Sequence, residues 1–499
     1  MKIKKGKKEI HILALDQGTT STRAILFDRY GNRLFMAQRP FKQIFPKNGW
    51  VEHNPEDIWK TSVKVCKDAV KRSKELKGNL VAMGIANQRE TTILWDKKSG
   101  KPIYNAIVWQ DRRTFNYCQK LKDQKHQAKI RKKTGLVIDP YFSATKIKWI
   151  LDNVKNAKAL ALKGKILFGT IDTFLLWRLT NGISYATDAT NASRTMLYNI
   201  KKNEWDQDLL KLFKIPHKIL PKVKNSSDFF GETDPNVLGI RIPITGIAGD
   251  QQAAAIGQCC FQAGSIKSTY GTGCFILINT GKKIVFSKKG LLTTICYRLN
   301  GKTSYALEGS IFIAGAVVQW LRDRVGLIKN AADSEALAKS IASNNGIYMV
   351  PAFIGLGTPY WKPNARGILT GLTRDTGKAE IVRAALESVV YQTYDLLVSV
   401  QRSRIKTKVL KIDGGMVKNN WLAQFLSDIL RVNIDRPKIE ETTALGVSFL
   451  AGLGVGVYKN LNDVSKIWRK DRRFAPKMKY FARRKNLEGW AKAIERVLC

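Results

Sequence analysis

The stretch IHILALDQGTTSTRAILF, residues 10–27, carries the clearest structural signal near the amino terminus. Residues 10–15 form a mostly apolar run, residues 16–22 are polar and include Gly18, and residues 23–27 are apolar again. Two apolar runs joined by a glycine-containing turn predict a β-hairpin. The turn offers backbone N–H groups and several hydroxyls, so it is either a phosphate-binding nest or an ordinary polar turn.

Two charged residues flank this turn. Asp16 ends the first predicted strand, and Arg23 begins the second. Mg²⁺ prefers carboxylate and water oxygens, so Asp16 is a candidate metal ligand, and Arg23 is close enough to reach the same phosphates. The sequence contains no Gly-x-x-x-x-Gly-Lys-Ser/Thr motif, which excludes a P-loop enzyme.

A second segment repeats this design in the other half of the chain. Residues 265–268 lead into Tyr270-Gly271-Thr272-Gly273, and residues 274–279 form another candidate strand. A duplicated domain predicts such a repeat, but two similar turns can also arise by coincidence. The sequence leaves both explanations open at this point. A domain boundary is expected near residues 257–264.

Candidate strands alternate with candidate helices along the chain, which indicates an α/β fold. Asn54 followed by Pro55 is a favourable helix start, with Asn54 as the N-cap. The other strand candidates are residues 80–85, 91–95, 106–109, 346–350 and 409–412. The helix candidates are residues 55–72, 310–325, 334–343, 379–402 and 420–431.

Three polar segments lie where predicted strands or helices end, and each has a structural and a functional interpretation. Asp250, after Gly249, is either a helix cap or a base placed at a cleft. Residues 87–92, with adjacent Arg89 and Glu90, form either an exposed turn with a surface ion pair or a binding site for a polyol. Residues 413–420 form either a nucleotide contact or a strand-to-helix turn in which Asn420 caps the helix.

The high positive charge of the chain raises the question of nucleic-acid binding. The chain has 499 residues, 44% of them hydrophobic, and 85 Lys plus Arg against 40 Asp plus Glu give a net charge of +45. Basic residues are spread along the chain, with dense runs at 2–8, 120–133 and 469–484. Since no nucleic-acid recognition motif accompanies them, we interpret them as solvated faces and expect no specific nucleic-acid partner.

Cysteine and histidine usage points to an intracellular protein without a zinc site. The seven cysteines form no tight framework, which indicates reduced thiols, and the four histidines include no pair at ligand spacing. The apolar run at residues 10–15 is too short for a signal peptide, and no run approaches a membrane span. We therefore expect a cytoplasmic protein.

Nine ordered segments together resemble the glycerol kinases, a group within the FGGY family of sugar kinases. The resemblance extends from about residue 12 to the final helix, and motifs of this length are highly specific. The segments are ALDQGTTS (14–21), GWVEH (49–53), NQRETT (87–92), AIVWQ (106–110), TGLVIDPYFS (134–143), ASRTML (192–197), GIAGDQQAA (246–254), TYGTGCF (269–275) and DGG (413–415).

The resemblance implies an α/β fold of two duplicated RNase H-like domains, of the hexokinase and actin type, flanking a central cleft. It implies an N-terminal domain over residues 1–257, with the polyol pocket and a phosphate turn. A C-terminal domain over residues 258–499 would supply the adenine-nucleotide side. The implied activity is ATP-dependent phosphorylation of glycerol to sn-glycerol 3-phosphate, the first step of glycerol catabolism, with ATP and Mg²⁺.

The resemblance also implies roles for individual residues. Asp250 is the implied general base, and Asp16 is the implied Mg²⁺ carboxylate. The implied glycerol pocket consists of Arg89, Glu90, Trp109, Tyr141, Asp250, Gln251 and Phe275. The implied nucleotide-binding residues are Thr19, Thr20, Ser21, Arg23, Thr272, Gly315, Gln319, Met416 and Asn420.

Two alternatives remain at this point. One keeps the fold and changes the substrate to a pentulose, gluconate or another polyol; Trp109 and Phe275 argue against it because they would occupy the room a larger sugar needs. The other is a basic binding protein that has lost kinase activity, which the full set of implied catalytic residues argues against. As partners we expect glycerol, ATP and further copies of the same chain, in a dimer or a tetramer.

We predict weak or absent inhibition by fructose 1,6-bisphosphate. Bacterial relatives that this sugar inhibits are expected to have a glycine-rich loop ending in Arg at positions equivalent to residues 234–241. Here Arg241 is retained, but Asn236-Val237-Leu238 replace the glycine-rich run. The check is the rate of ADP release with and without the bisphosphate, and clear inhibition would contradict the prediction.

Overall fold

The structure, a computed structural model, describes residues 8–287, 290–362, 364–401 and 409–499. Most of the basic run at 2–8 therefore lies outside the described residues, as does position 402 of the helix candidate at 379–402. Among the described helices, none has both the length and the apolar character needed to span a bilayer.

The strands belong mainly to two sheets, one in each half of the chain. In chain order they are β1 (Ile10–Gln17), β2 (Ser21–Asp28), β3 (Arg33–Pro40), β4 (Glu52–His53), β5 (Asn79–Asn87), β6 (Ile93–Asp96), β7 (Ala106–Ile107), β8 (Ile166–Gly169), β9 (Ala186–Asp188), β10 (Tyr198–Asn199), β11 (Glu204–Trp205), β12 (Lys222–Lys224), β13 (Ser227–Glu232), β14 (Pro243–Gly249), β15 (Ile266–Tyr270), β16 (Cys274–Gly281), β17 (Leu292–Leu299), β18 (Lys302–Ile311), β19 (Tyr348–Val350), β20 (Ile368–Thr370), β21 (Val409–Asp413), β22 (Asn433–Pro437) and β23 (Lys470–Phe474).

The helices connect and cover these strands. In chain order they are α1 (Pro55–Glu75), α2 (Phe115–Asp123), α3 (Gln127–Thr134), α4 (Ser143–Asn153), α5 (Ala157–Leu162), α6 (Ile171–Leu179), α7 (Ala189–Ala192), α8 (Gln207–Phe213), α9 (Pro235–Leu238), α10 (Asp250–Gly257), α11 (Gly315–Trp320), α12 (Asp333–Lys339), α13 (Lys378–Gln401), α14 (Asn420–Leu430), α15 (Thr442–Gly454), α16 (Leu461–Ile467) and α17 (Tyr480–Leu498). Short 3₁₀ turns lie at His217–Ile219 and Gly415–Lys418, and a π-helical turn lies at Leu321–Val325.

Each half contains a sheet built on the same plan. The first sheet has the order β13-β14-β5-β1-β2-β3, and the second has the order β17-β18-β16-β15-β21-β22-β23. In each, three antiparallel strands (β1-β2-β3 or β15-β16-β18) lie beside two parallel strands and one antiparallel edge strand. The second sheet has one more strand, β17, which pairs antiparallel with β18 at the opposite edge. The two hairpins predicted from the sequence therefore occupy equivalent positions, which favours duplication over coincidence.

The first hairpin is apolar because both of its faces are buried. Leu13 and Leu15 pack in the cluster that includes Ile58 of α1, whereas Ile12 and Ala14 pack in a different cluster with α15. A strand buried on both faces has a continuous apolar sequence rather than an alternating one, as residues 10–15 do.

Helices α10 and α15 cross at very close range. A Cβ atom added to Gly446 of α15 would lie 1.8 Å from the carbonyl oxygen of Ala253 in α10, so only glycine fits at this crossing. Helix α15 belongs to the second half of the chain but covers a face of the first sheet, packing on β1, β5 and β14. This crossing fixes the start of α10, where Asp250 lies.

One predicted helix has the wrong start. The apolar pattern at residues 310–325 predicts a single helix, but Ser310 and Ile311 continue β18, opposite Phe275 and Cys274 of β16. Pairing within the sheet outweighs the local helical pattern there. Helix α11 begins at Gly315 and continues into the π-helical turn at Leu321–Val325.

Candidate active site

The first predicted phosphate turn connects β1 and β2. The Gly18 N–H donates to the Ser21 carbonyl oxygen at 3.0 Å, which closes the turn, and Asp16 lies opposite Arg23 in the hairpin register. Gln38 Nε2 donates to Ser21 Oγ at 2.9 Å. The turn brings together four of the predicted nucleotide residues, Thr19, Thr20, Ser21 and Arg23.

Asp16 lies among other acidic groups. Burial raises the pKa of Asp16 to about 7; nearby Arg23 opposes this shift, while Asp250 and Glu441 add to it. Arg23 Nη1 is 3.1 Å from Glu441 Oε2, at the start of α15. Glu441 was not identified from the sequence, because only the fold brings it across from residue 441 to the first hairpin.

The second predicted turn leads into α11. The Thr272 carbonyl oxygen accepts from the N–H groups of Ala314 and Ala316, at 2.9 and 3.0 Å, and the Gly271 carbonyl accepts from Gly315. A Cβ atom on Gly315 would lie 2.6 Å from the Gly271 oxygen and 3.4 Å from Met416 Cγ. The absence of a side chain at 315 thus allows the turn, the helix start and Met416 to meet.

The remaining two predicted nucleotide residues lie on helices. Gln319 is exposed on α11, four residues beyond Gly315 and therefore on the same helix face. Asn420 is the first residue of α14 and accepts from Arg436 Nη1 at 3.1 Å. It is not the helix cap: Asn419 takes that role, accepting from the Leu422 N–H at 2.9 Å.

Arg89 is the centre of the predicted polyol pocket. Its side chain is 2% exposed, and its Nε lies 3.1 Å from Asp250 Oδ1. Nη1 donates to Gln252 Oε1 at 3.2 Å, and Nη2 to the Tyr141 hydroxyl at 3.4 Å. Both terminal nitrogens also bind the carboxylate of Glu308, a residue not identified from the sequence.

Glu90 is also buried, so the interpretation of residues 87–92 as an exposed turn with a surface ion pair is wrong. Glu90 adopts a left-handed backbone conformation with φ of +61°, and Arg194 Nε donates to its Oε1 at 2.6 Å. Burial raises the pKa of Glu90 against the opposing charges of Arg194 and Arg89. Arg194 lies in a motif of the resemblance, but no role was expected for it.

Aromatic rings form one wall beside Arg89. The centroid of Trp109 lies 5.6 Å from that of Tyr141 and 6.1 Å from that of Phe275, both in edge-to-face arrangements. Trp109 Nε1 donates to Thr19 Oγ1 at 3.0 Å. The aromatic wall is therefore hydrogen-bonded directly to the first phosphate turn.

Asp250 and Gln251 begin α10, at the end of β14. The side chain of Asp250 is 32% exposed, and its Oδ1 accepts from the Gln251 N–H at 2.7 Å. The side-chain oxygen of Gln251 binds Nζ of the fully buried Lys267, which also donates to Thr269 Oγ1 at 2.9 Å. Burial lowers the pKa of Lys267, although Asp413 and Asp250 oppose that shift.

The buried charges missed by the sequence analysis share a recognisable feature. Lys267 and Glu308 lie in largely buried strands of the second sheet, β15 and β18, where an unpaired charge is strongly unfavourable. A charged residue in a buried strand therefore indicates a hydrogen-bonding or oppositely charged partner elsewhere in the fold. The sequence gives no indication of which partner it is.

The fold, the two turns and the pocket correspond to a known family. Residues 11–257 match the N-terminal domain of the FGGY family of carbohydrate kinases, and residues 266–455 match its C-terminal domain. The chain belongs to the FGGY family of carbohydrate kinases. The resemblance and the fold class predicted from the sequence are thereby confirmed.

This FGGY kinase is similar to curated glycerol kinases over almost its whole length. It is 56% identical over 487 residues to glycerol kinase 1 of Pseudomonas aeruginosa, covering 98% of this chain and 99% of the relative. It is likewise 56% identical over 491 residues to the glycerol kinase of Sinorhizobium fredii, with the same coverage of 98% and 99%.

Solved structures of FGGY kinases show the same architecture. The glycerol kinase of Plasmodium falciparum, solved with ADP, has a TM-score of 0.93 at 39% identity, covering 99% of this chain and 100% of that one. A gluconate kinase from Lactobacillus acidophilus has a TM-score of 0.87 at 23% identity, covering 99% of each chain. The second likeness is one of fold alone.

We predict that the Asp16 carboxyl titrates near pH 7 in the protein without nucleotide, ionising as the pH rises through that value. Asp250→Asn removes a neighbouring negative charge and should lower the Asp16 pKa, whereas Arg23→Gln removes an opposing positive charge and should raise it. Carboxyl ¹³C NMR of aspartate-labelled protein measures this, with Asp16→Asn assigning the resonance. Shifts of the opposite sign would contradict the prediction.

Proposed function

We propose that this FGGY kinase transfers the terminal phosphoryl group of ATP to glycerol, with Asp250 as the general base. The observation that carries the proposal is the 3.1 Å pairing of Arg89 with Asp250 beside the rings of Tyr141, Trp109 and Phe275. A small triol needs charged partners for its hydroxyls and an apolar surface for its carbon edge. The similarity to curated glycerol kinases supports this choice of substrate.

The different solvent exposures of Arg89 and Asp250 suit different roles in the pocket. Arg89 is 2% exposed and Asp250 is 32% exposed, so Asp250 is the more accessible of the two. Arg89, Glu90 and Gln251 hold and orient the hydroxyls, while Trp109 and Phe275 of the aromatic wall would occupy the room that a larger sugar needs.

Proton transfer to Asp250 accompanies phosphoryl transfer. The Asp250 carboxylate accepts the proton of the attacking hydroxyl, and that oxygen forms a bond to the terminal phosphorus of ATP. The bond from this phosphorus to the bridging oxygen breaks, ADP leaves, and the proton on Asp250 passes to solvent.

The two turns account for the phosphate side of the proposed site. N–H groups and hydroxyls of the first turn, with Arg23, donate to phosphate oxygens and offset their charge. We assign the nucleotide to the surface formed by the second turn and the neighbouring helices, namely Thr272, Gly315, Gln319, Met416 and Asn420.

The residues around Asp16 fit Mg²⁺. The raised pKa of Asp16 reflects burial and the nearby carboxylates of Asp250 and Glu441, and a cation at this position would relieve that repulsion. When bound, Mg²⁺ would neutralise charge on the phosphate oxygens. The described residues contain no group of three or more His, Cys, Asp or Glu placed to hold a metal, so phosphate and water oxygens would complete the coordination.

We also propose a cytoplasmic location, a homo-oligomeric state and a division into domains at residues 257 and 258. The seven cysteines form no disulfide, which supports a reducing compartment. The two equivalent sheets support the division, although α15 packs on the first sheet from the second half. The number of subunits, two or four, stays a prediction.

We expect purified protein with ATP and Mg²⁺ to release ADP strongly with glycerol and weakly with a pentulose or gluconate. A coupled assay of ADP formation across the three substrates measures this. A preference for another polyol would support the proposed phosphoryl transfer but contradict glycerol as the substrate. No release with any of the three would contradict the proposed function altogether.

We predict that Asp250→Asn lowers kcat by about 10²- to 10⁴-fold while the fold is retained, because the base is lost. Asp395→Asn is a matched control: Asp395 is a half-buried acid on α13 that accepts from Tyr360 and Trp490, away from the pocket. It should retain parental turnover. An active Asp250→Asn variant, with circular dichroism and thermal unfolding like the parent, would remove Asp250 from the base role.

A further inference from the structure

A buried group of four charged side chains lies at the base of the polyol pocket. Arg89 and Glu90 follow β5 of the first sheet, Arg194 follows α7, and Glu308 lies on β18 of the second sheet. Each of the four side chains is at most 2% exposed. Glu308 is the member contributed by the second half of the chain.

Glu308 binds both guanidinium groups at once. Its Oε1 accepts from Arg89 Nη2 at 3.2 Å and from Arg194 Nη2 at 2.9 Å, and its Oε2 accepts from Arg89 Nη1. Burial alone would raise the pKa of Glu308, but the charges of Arg194 and Arg89 outweigh it and lower the pKa overall. Glu308 therefore remains ionised at neutral pH.

This arrangement sets the orientation of Arg89. A guanidinium group is planar, so a carboxylate on both terminal nitrogens fixes the plane of the group as well as its position. With that end held by Glu308, Nε of Arg89 points at Asp250 Oδ1. The Arg89 side chain cannot then turn its terminal nitrogens toward Asp250.

Arg194 depends on the same carboxylate. Its Nε binds Glu90 and its Nη2 binds Glu308, while its Nη1 finds no hydrogen-bond partner among the described residues. Without Glu308, two terminal nitrogens of this buried cation would lack partners. Arg194 would then compete with Arg89 for the Glu90 carboxylate. Arg89 and Glu90, the two residues predicted to bind the glycerol hydroxyls, would both shift.

We propose that Glu308 is a positioning residue for the polyol pocket: from the opposite sheet, it holds Arg89 and Arg194 in the orientation that leaves Asp250 and Glu90 directed at the substrate. This inference rests on the proposed function, because it assigns the consequence to glycerol binding. Glu308 acts through the two arginines, and no step of phosphoryl transfer occurs on it.

The test compares Glu308→Gln with the parent in steady-state kinetics. Gln keeps the shape but loses the charge, and its amide N–H₂ would face one of the two arginines. We expect KM for glycerol to rise by at least about tenfold, because small misplacements of binding groups have large kinetic effects. KM for ATP should stay within about twofold, since the nucleotide residues make no contact with Glu308 among its described hydrogen bonds.

Glu387→Gln provides the matched control. Glu387 is a buried carboxylate on α13 of the same half, paired with Arg383 at 2.8 Å and bound by Tyr391 and Asn344, all outside the candidate site. Its replacement removes the same charge from a comparable buried pair. It should lower the thermal midpoint while leaving both KM values unchanged.

If Glu308→Gln does not fold, the Glu308→Asp variant tests whether Glu308 positions the polyol-binding residues. It keeps the charge, but its side chain is shorter by one methylene and cannot reach both arginines, so KM for glycerol should again rise selectively. An unchanged KM for glycerol in a folded variant, equal increases in both KM values, or failure of both variants to fold would overturn the inference. Because the parent is assayed first, an inactive parent would instead refute the proposed function.

Discussion

A buried guanidinium group requires carboxylates around it, and Arg89 obtains them from both halves of the chain. Asp250 follows the last parallel strand of the first sheet, and Glu308 lies on β18 of the second. Removing one partner of such a pair typically destabilises a protein by about 3–5 kcal/mol, because a charge is left buried without compensation. The two sheets must therefore be docked for the pocket to exist, and the pocket in turn contributes to holding them together.

The two Gly-Thr turns, Asp16 and Asp250 are positioned by the ends of strands. In both sheets the Gly-Thr turn lies between the first two antiparallel strands, β1 and β2 or β15 and β16, next to the end of a parallel neighbour. The first turn therefore starts beside Asp16 near the end of β1, and Asp250 follows β14 at the same edge of that sheet. These strand ends position the candidate phosphate turns, Asp16 and Asp250, whereas the candidate polyol pocket depends on long side chains held by ion pairs.

The sequence was most informative where structure is local. The hairpin at residues 10–27 was predicted because its apolar runs and its turn are adjacent in the chain. The helix start at Ser310 was wrong, because pairing with β16 is not visible locally, and capping by Asn420 was wrong by one residue. Glu308, Lys267 and Glu441 were missed, since their partners Arg194, Gln251 and Arg23 are 114, 16 and 418 residues away in the chain. The resemblance supplied the pocket residues, but the carboxylate that orients Arg89 emerged only from the fold.

Helix α15 has a consequence for biosynthesis. It covers Ile12, Ala14, Ile25 and Phe27, although it begins roughly 400 residues after this hairpin. On the ribosome, the opening hairpin therefore emerges long before the helix that shields one of its faces. Apolar strand surface left uncovered for that interval is prone to aggregation. The first half of this kinase therefore cannot bury both faces of its opening hairpin until residues 442–454 have been synthesised.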